Sequence, residues 1–134
     1  IDNHTLVNHL EPNCQSHENY KGIIKDKGVG VFNGKVIVHK DAQKIYAFQN
    51  NNNVLLSDYA KIYAKPELEI FADDVKCSHG STTGQLDDEA LFYLQSRGVS
   101  LDTSQKLLLE GFISEIADKI SHPKFKEYIL DKLI

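Results

Sequence analysis

Cys77, Ser78 and His79 form the segment of this sequence whose residue types and spacing are best suited to chemistry. On a β-strand, Cys77 and His79 would project from the same face, roughly 7 Å apart along the strand. A thiolate and an imidazole in this arrangement could share a soft metal ion, with ligands from elsewhere completing the site. The imidazole could also lower the pKa of the thiol. The alternative is structural, because free cysteine is among the residues most often buried.

Other catalytic and binding motifs find little support. The sequence has no G-x-S-x-G motif of a nucleophilic hydrolase. The glycines of residues 28–34 lack the spacing and the following helix of a phosphate-binding loop. We interpret Asn33-Gly34 within this segment as a tight turn between two strands. The sequence therefore predicts no nucleotide site.

Composition excludes several classes of protein. The 134 residues include 15 Lys+Arg and 19 Asp+Glu, for a net charge of −4, so the chain has no basic excess for nucleic acid. No apolar run approaches the ~20 residues that a membrane helix needs. Two cysteines, Cys14 and Cys77, do not make a disulfide scaffold or a zinc ribbon. Because the sequence starts at Ile1 and has no Met, we expect a piece of a longer chain.

The first part of the chain has the period-two alternation of half-buried strands. This pattern predicts strands in residues 35–39, 60–65, 67–72 and 75–79. All nine asparagines also lie in this part, and we interpret them as corners between short strands. A sandwich, a barrel and a β-helix all fit the pattern. The similar contexts of Ile37 and Ile62, taken as one repeat, slightly favour a β-helix.

After Gly84 the apolar period becomes helical. We predict one helix from Asp87 through Arg97, a second from about Asp102 to Ile120 and a third that starts at Pro123. The second helix carries a wide apolar face between Leu109 and Ile120. This face could pack within the chain, which we favour, or on another protein. The third helix presents the apolar side chains of Phe125, Tyr128, Ile129 and Leu133.

Three blocks of the sequence form a recognisable set: VFNGK (31–35) with DAQK (41–44); LLSD (55–58) with KPELEI (65–70) and ADDVKCSHG (72–80); and DEALFYL (88–94) with SRG (96–98). Together they resemble the SufB/SufD family of iron–sulfur cluster assembly proteins, and within it the SufD branch. The middle block is the most specific, and its Lys-Cys-Ser-His-Gly favours SufD over SufB. The order and spacing of the blocks resemble the C-terminal third of such a protein.

The resemblance implies a mainly β fold with a helical C-terminus. Residues 1–84 would form the last coils of a right-handed parallel β-helix, and residues 85–134 a small helical segment. The chain would be a non-catalytic, cytoplasmic scaffold subunit that contacts neither nucleic acid nor membrane. It would pair through the β-helix with a SufB-like paralogue or a second copy. Its C-terminal helices would bind a SufC-like ABC ATPase, which would hydrolyse the ATP.

The resemblance also implies roles for particular residues. Cys77 and His79 would be the cluster-assembly and metal-binding candidates, meeting iron or an iron–sulfur cluster transiently in the full complex, with no stably bound cofactor. The residues implied in ATPase docking are Phe92, Tyr93, Leu94, Arg97, Leu109, Phe112, Ile113 and Ile116. Two alternatives remain open: a β-solenoid carbohydrate-binding or carbohydrate-active module, and a purely structural interaction domain in which Cys77 is inert.

Overall fold

A computed structural model describes residues 1–132, which form six strands and three helices. In chain order these are β1 (Asp2–His9), β2 (Gln15–Ile24), β3 (Val29–Val38), β4 (Ile45–Leu55), β5 (Lys61–Ile70), β6 (Val75–Gly84), α1 (Asp88–Ser96), α2 (Leu101–Ala117) and α3 (Pro123–Leu130). The chain divides into a strand unit, Ile1–Gln85, and a helical unit that begins at Leu86.

Two parallel three-stranded sheets make up the strand unit, with strand orders β1-β3-β5 and β2-β4-β6. Successive strands therefore alternate between the sheets. In the first sheet, the register pairs Asp2 with Val31 and Val29 with Lys61. The predicted repeat, which related Ile37 to Ile62, is wrong because Ile37 pairs with Glu69. The actual return is longer, since it includes one strand of each sheet and the two connections between them.

The core of the strand unit lies where β3 and β4 turn alternate side chains inward. Val36 and Val38 of β3 and Ile45 and Ala47 of β4 are all buried in one apolar cluster. The half-buried Val75 and Cys77 of β6 pack against it, as do Val7, Cys14 and Leu68. The alternation predicted for residues 35–39 and 75–79 is thus confirmed by the strands that form there.

The asparagines do not mark corners. Eight of the nine lie within strands, and only Asn13, at φ 61°, lies in a turn. Asn33-Gly34 is also not a turn, since both residues lie inside the continuous strand β3. The reason is tertiary for the run in β4, because the side chains of Asn51, Asn52 and Asn53 find hydrogen-bond partners within the strand unit. For example, the Asn53 Nδ2 donates to Asn51 Oδ1 at 2.7 Å.

In the helical unit, side-chain hydrogen bonds cap the first turns of α1 and α2. The Asp87 side chain accepts from the N–H groups of Glu89 and Ala90, which confirms the predicted start of α1. After α1 the chain turns at Gly98, whose φ of +86° favours glycine. The second helix begins at Leu101, where the Ser100 hydroxyl accepts from the Thr103 N–H, so the predicted start near Asp102 is one residue late.

The other helix limits follow from local geometry. The second helix ends at Ala117, three residues before the predicted Ile120, and the backbone closes it with tight turns. Pro123 occupies the first turn of α3 as predicted, since that position has no intrahelical partner for an N–H group. The exposed Phe125 and Tyr128 lie on this helix. Leu133, predicted on the same face, lies outside the described residues.

Replacing Gly34 by alanine should destabilise the strand unit. A Cβ at this position would lie 2.6 Å from both Gln49 Nε2 and Phe32 Cζ, so both buried side chains would have to move. We expect the free energy of unfolding to fall by about 1–3 kcal/mol in urea denaturation. Gly84→Ala is the matched control, because no described atom lies within 4 Å of its Cβ, and it should leave the midpoint unchanged or raise it. Equal midpoints for the two variants would contradict this packing.

Candidate functional site

Cys77 and His79 both lie on β6, the strand at one edge of the β2-β4-β6 sheet. They pair in register with Ala47 and Gln49 of β4, whose side chains are buried. Alternation therefore turns both Cys77 and His79 toward the inner side of the sheet. The structure thus confirms the shared face that a strand predicts, with Cys77 half-buried and His79 exposed.

Burial controls the chemistry of Cys77. Removal from water raises the pKa of its thiol above the ordinary value, and a hydrogen bond with the Ala47 backbone lowers it only in part. The thiol is therefore protonated at neutral pH, and the thiolate that binds metal or attacks an electrophile is scarce. The hypothesis that His79 lowers the thiol pKa is wrong for this structure, since desolvation by the apolar cluster prevails.

A polar row crosses the inner side of the same sheet. Glu18 of β2, Gln49 of β4 and His79 of β6 are register partners on three adjacent strands. The Gln49 Nε2 donates to Glu18 Oε1 at 3.1 Å, and the Thr5 hydroxyl donates to Glu18 Oε2 at 3.2 Å. His79 is thus the last member of an interior row that begins with a carboxylate.

The sequence analysis missed Glu18 and Gln49. The sequence signal for these residues is the alternation along β4, in which the buried Ile45, Ala47 and Gln49 are separated by more exposed residues. The asparagine run that follows Gln49 hid this strand, because asparagine disfavours strands by propensity. Their partnership with His79 depends on the register between strands that are distant in sequence, and no local pattern gives this register.

Buried amides extend the polar interior along β4. Asn53 donates from Nδ2 to Asn51 Oδ1 and also to the Thr82 carbonyl at 3.3 Å. A cavity of about 190 Å³ lies beside these amides, and Tyr20 and Phe32 are part of its lining. The strand unit is therefore apolar around Val36 and Ala47 but polar toward the C-terminal half of β4.

The described part of the chain brings together few side chains that could bind a metal ion. Among residues 1–132, no group of three or more His, Cys, Asp or Glu side chains could hold a metal ion. Cys77 and His79 can supply two ligands at most from this strand. Iron–sulfur clusters use four protein ligands and non-haem iron sites commonly three, so a site here would need ligands from another chain or segment.

The predicted docking residues fall into two groups. On α1, Phe92 and Tyr93 are 74% and 57% exposed, and the Arg97 guanidinium lies 5.1 Å from the centre of the Tyr93 ring. Leu94 is half-buried. The α1 aromatic pair, Phe92 and Tyr93, is therefore available to a partner in this structure.

The apolar face of α2 is mostly packed. Leu109 is fully buried and Ile113 nearly so, while Phe112 and Ile116 are half-buried. The burial of Leu109 and Ile113 supports packing within the chain, which the sequence analysis favoured over packing on another protein. None of the helices in residues 1–132 is both long and apolar enough to cross a bilayer.

Comparison with protein-family models identifies the kind of protein in which these residues lie. Residues 1–112 match the SufBD core domain of the SUF system for FeS cluster assembly. The chain belongs to the SufBD family. The resemblance drawn from its sequence blocks is confirmed, including the SufD branch.

Curated relatives of this SufBD chain include proteins named for iron–sulfur cluster assembly. It is 39% identical over 132 residues to the iron–sulfur cluster assembly protein SufD of Escherichia coli, covering 98% of this chain and 31% of that protein. It is 42% identical over 119 residues to a SufBD family protein of Synechocystis, covering 89% and 26%. An Arabidopsis chloroplastic protein, ABCI7, is 36% identical over 128 residues, covering 95% and 27%. The chain spans less than a third of the length of these relatives.

The raised thiol pKa predicts slow alkylation of Cys77. In a Cys14→Ser variant, which leaves Cys77 as the remaining cysteine, the iodoacetamide rate at pH 8 should be below that of a free cysteine peptide. The difference in rate should shrink as the pH rises, because the folded protein forms the Cys77 thiolate at a higher pH than the peptide does. The same thiol should lower stability as pH rises above its unfolded-state pKa, since the folded state retains the proton.

Denaturant supplies the control for this measurement. Unfolding should restore the alkylation rate to that of the free peptide, because it removes the desolvation of Cys77. A native rate profile that matches the free peptide at every pH would contradict the effect of burial.

Proposed function

We propose that this chain is part of a SufD-like scaffold subunit of an iron–sulfur cluster assembly complex. The family match and the names of the relatives support the assembly role. The subunit is non-catalytic and cytoplasmic, and ATP is hydrolysed by its partner. Iron or the nascent cluster is the cargo of the complex and is held only transiently.

The observation that carries this proposal is the placement of Cys77 and His79 on the inner side of an edge strand. His79 is exposed and its imidazole can bind iron directly, whereas Cys77 is half-buried with its thiol protonated. Two side chains leave coordination positions for a partner chain to fill. The cargo site is therefore shared between subunits, and Cys77 joins it when a rearrangement makes its thiolate accessible.

The proposed fold is a right-handed parallel β-helix whose last coil contains β5 and β6. Its support is the alternation of successive strands between two parallel sheets and the in-register return of the chain to each sheet. β5 and β6 each end the strand order of their sheet, so both present backbone N–H and C=O groups at an edge. Such edges are templates for pairing with another chain. A SufB-like paralogue, or a second copy, pairs there beside His79.

The proposed dock for a SufC-like ABC ATPase lies in the helical unit, on α1 and α2. The α1 aromatic pair supports this role, because exposed aromatic side chains with a neighbouring arginine are typical of binding hot spots. The α2 residues Leu109 and Ile113 support the dock indirectly by packing the unit. The carbohydrate alternative gains no support, since the matched family is one of cluster assembly.

Substituting His79 by alanine should lower cluster yield without unfolding the protein. The side chain is exposed and outside the apolar cluster, so the thermal unfolding midpoint should stay unchanged. In the assembled complex, we expect the yield of cluster to fall at least tenfold by absorbance and iron analysis, because one ligand is lost. Cys77→Ser should act in the same direction. His39→Ala, an exposed histidine after β3, is the control and should retain full yield.

Truncation of Phe92 should weaken ATPase binding. Phe92→Ala removes an aromatic side chain that is 74% exposed, so the fold should be retained. We expect at least tenfold weaker affinity for the SufC-like subunit in calorimetric titration, as for a hot-spot aromatic. Phe125→Ala on α3, where Phe125 is 54% exposed, is the matched control. Equal affinities for the two variants would remove α1 from the proposed dock.

A further inference from the structure

Gln49 has an unusual position for a polar side chain. It is only 1% exposed, and among the described residues no group donates to its Oε1. Buried side-chain acceptors nearly always have a partner, so one without any calls for an explanation. A leucine or methionine would fill the same space without desolvating an amide.

The amide orientation of Gln49 follows from its neighbours. A carboxylate accepts hydrogen bonds, so the Glu18 side chain requires the Gln49 NH₂ group on its side, and this bond is 3.1 Å long. Thr5 holds the second carboxylate oxygen. Gly34 provides the space, because a Cβ there would lie 2.6 Å from Gln49 Nε2. The Gln49 Oε1 is then the amide atom left over for the strand on the other side, β6.

The register partner of Gln49 on β6 is His79. Adjacent strands lie about 4.8 Å apart, a spacing that side chains in one row bridge readily by hydrogen bonds. Neutral imidazole carries one N–H donor and one acceptor nitrogen. A histidine that binds metal through one nitrogen almost always donates the other N–H to a fixed acceptor. The row thus holds an unpaired acceptor beside a histidine that would need one.

We propose that Gln49 is a positioning residue for His79. Its Oε1 accepts the N–H of one imidazole nitrogen while the other nitrogen binds iron or the nascent cluster. His79 donates to Gln49 and Gln49 donates to Glu18, so the hydrogen bonds of the row run in one direction, and Thr5 donates to the remaining carboxylate oxygen. This inference rests on the proposed function of His79 as a cargo ligand.

The experiment measures Fe²⁺ affinity of the assembled complex under anaerobic conditions. Gln49→Met keeps the volume and removes the acceptor, so affinity should fall 10- to 100-fold. The exchange variant Glu18→Gln/Gln49→Glu keeps the net charge and rebuilds the row. The amide then lies at position 18, and a carboxylate oxygen faces His79. It should restore affinity to within about threefold of wild type. A side chain that merely filled space would not show this rescue.

A spectroscopic readout follows the imidazole itself. With ¹⁵N-histidine in this chain alone, electron spin-echo modulation of the reduced cluster should show one histidine coupling in wild type. The coupling should be broadened or lost in Gln49→Met and return in the exchange variant. Asn51→Leu replaces another buried amide of β4, whose register partner is Ser81, and should leave affinity and coupling unchanged.

The outcomes separate the inference from the function beneath it. If His79→Ala lowers affinity but Gln49→Met does not, or if the exchange variant fails to rescue, the positioning role is overturned and the proposed function stands. If His79→Ala itself has no effect, the cargo site and the positioning role both fall. An equal loss in Asn51→Leu also overturns the inference. Gln49→Asn withdraws the acceptor while keeping an amide, and decides the question by the same criteria if Gln49→Met does not fold.

Discussion

Parallel pairing in register is the constraint on which the strand unit depends. Each inward side chain has as its neighbours the equivalent residues of adjacent strands, which lie one full return of the chain away in sequence. The interior is therefore built from rows, and a buried polar member of a row needs a hydrogen-bond partner within the protein. Val7, Val36 and Leu68 form an apolar row. Glu18 and Gln49 belong to a polar row.

Rows explain how two residues that lie only two positions apart in sequence differ in chemistry. Cys77 continues a row with Ser16 and Ala47 and packs against the apolar cluster, which disfavours its thiolate. His79, one step along the same face, continues the row of Glu18 and Gln49. A thiol is thereby kept protonated beside an imidazole that is exposed.

Sequence reasoning reached the elements whose signals are local. Alternating residues predicted the strands around Val36 and Cys77, and the Asp87 cap predicted α1. It missed β4, because its asparagines are favourable only once neighbouring strands supply partners. It made the repeat too short, because the true offset depends on connections that carry no periodic signal. The role of Gln49 could not be predicted for the same reason, since it depends on Glu18 and His79, its register partners on the neighbouring strands.

The protonated thiol links cluster assembly to conformation in the proposed scaffold. Iron binding requires the thiolate, and burial of Cys77 favours the thiol. Any rearrangement that hydrates the inner side of β6 lowers the thiol pKa toward its ordinary value, so the thiolate fraction at fixed pH rises and the proposed iron cargo would bind more tightly. Linkage is reciprocal, so bound iron would favour the hydrated arrangement by the same free energy. In the proposed complex, motion of the ATPase partner would load and release cargo by shifting this equilibrium.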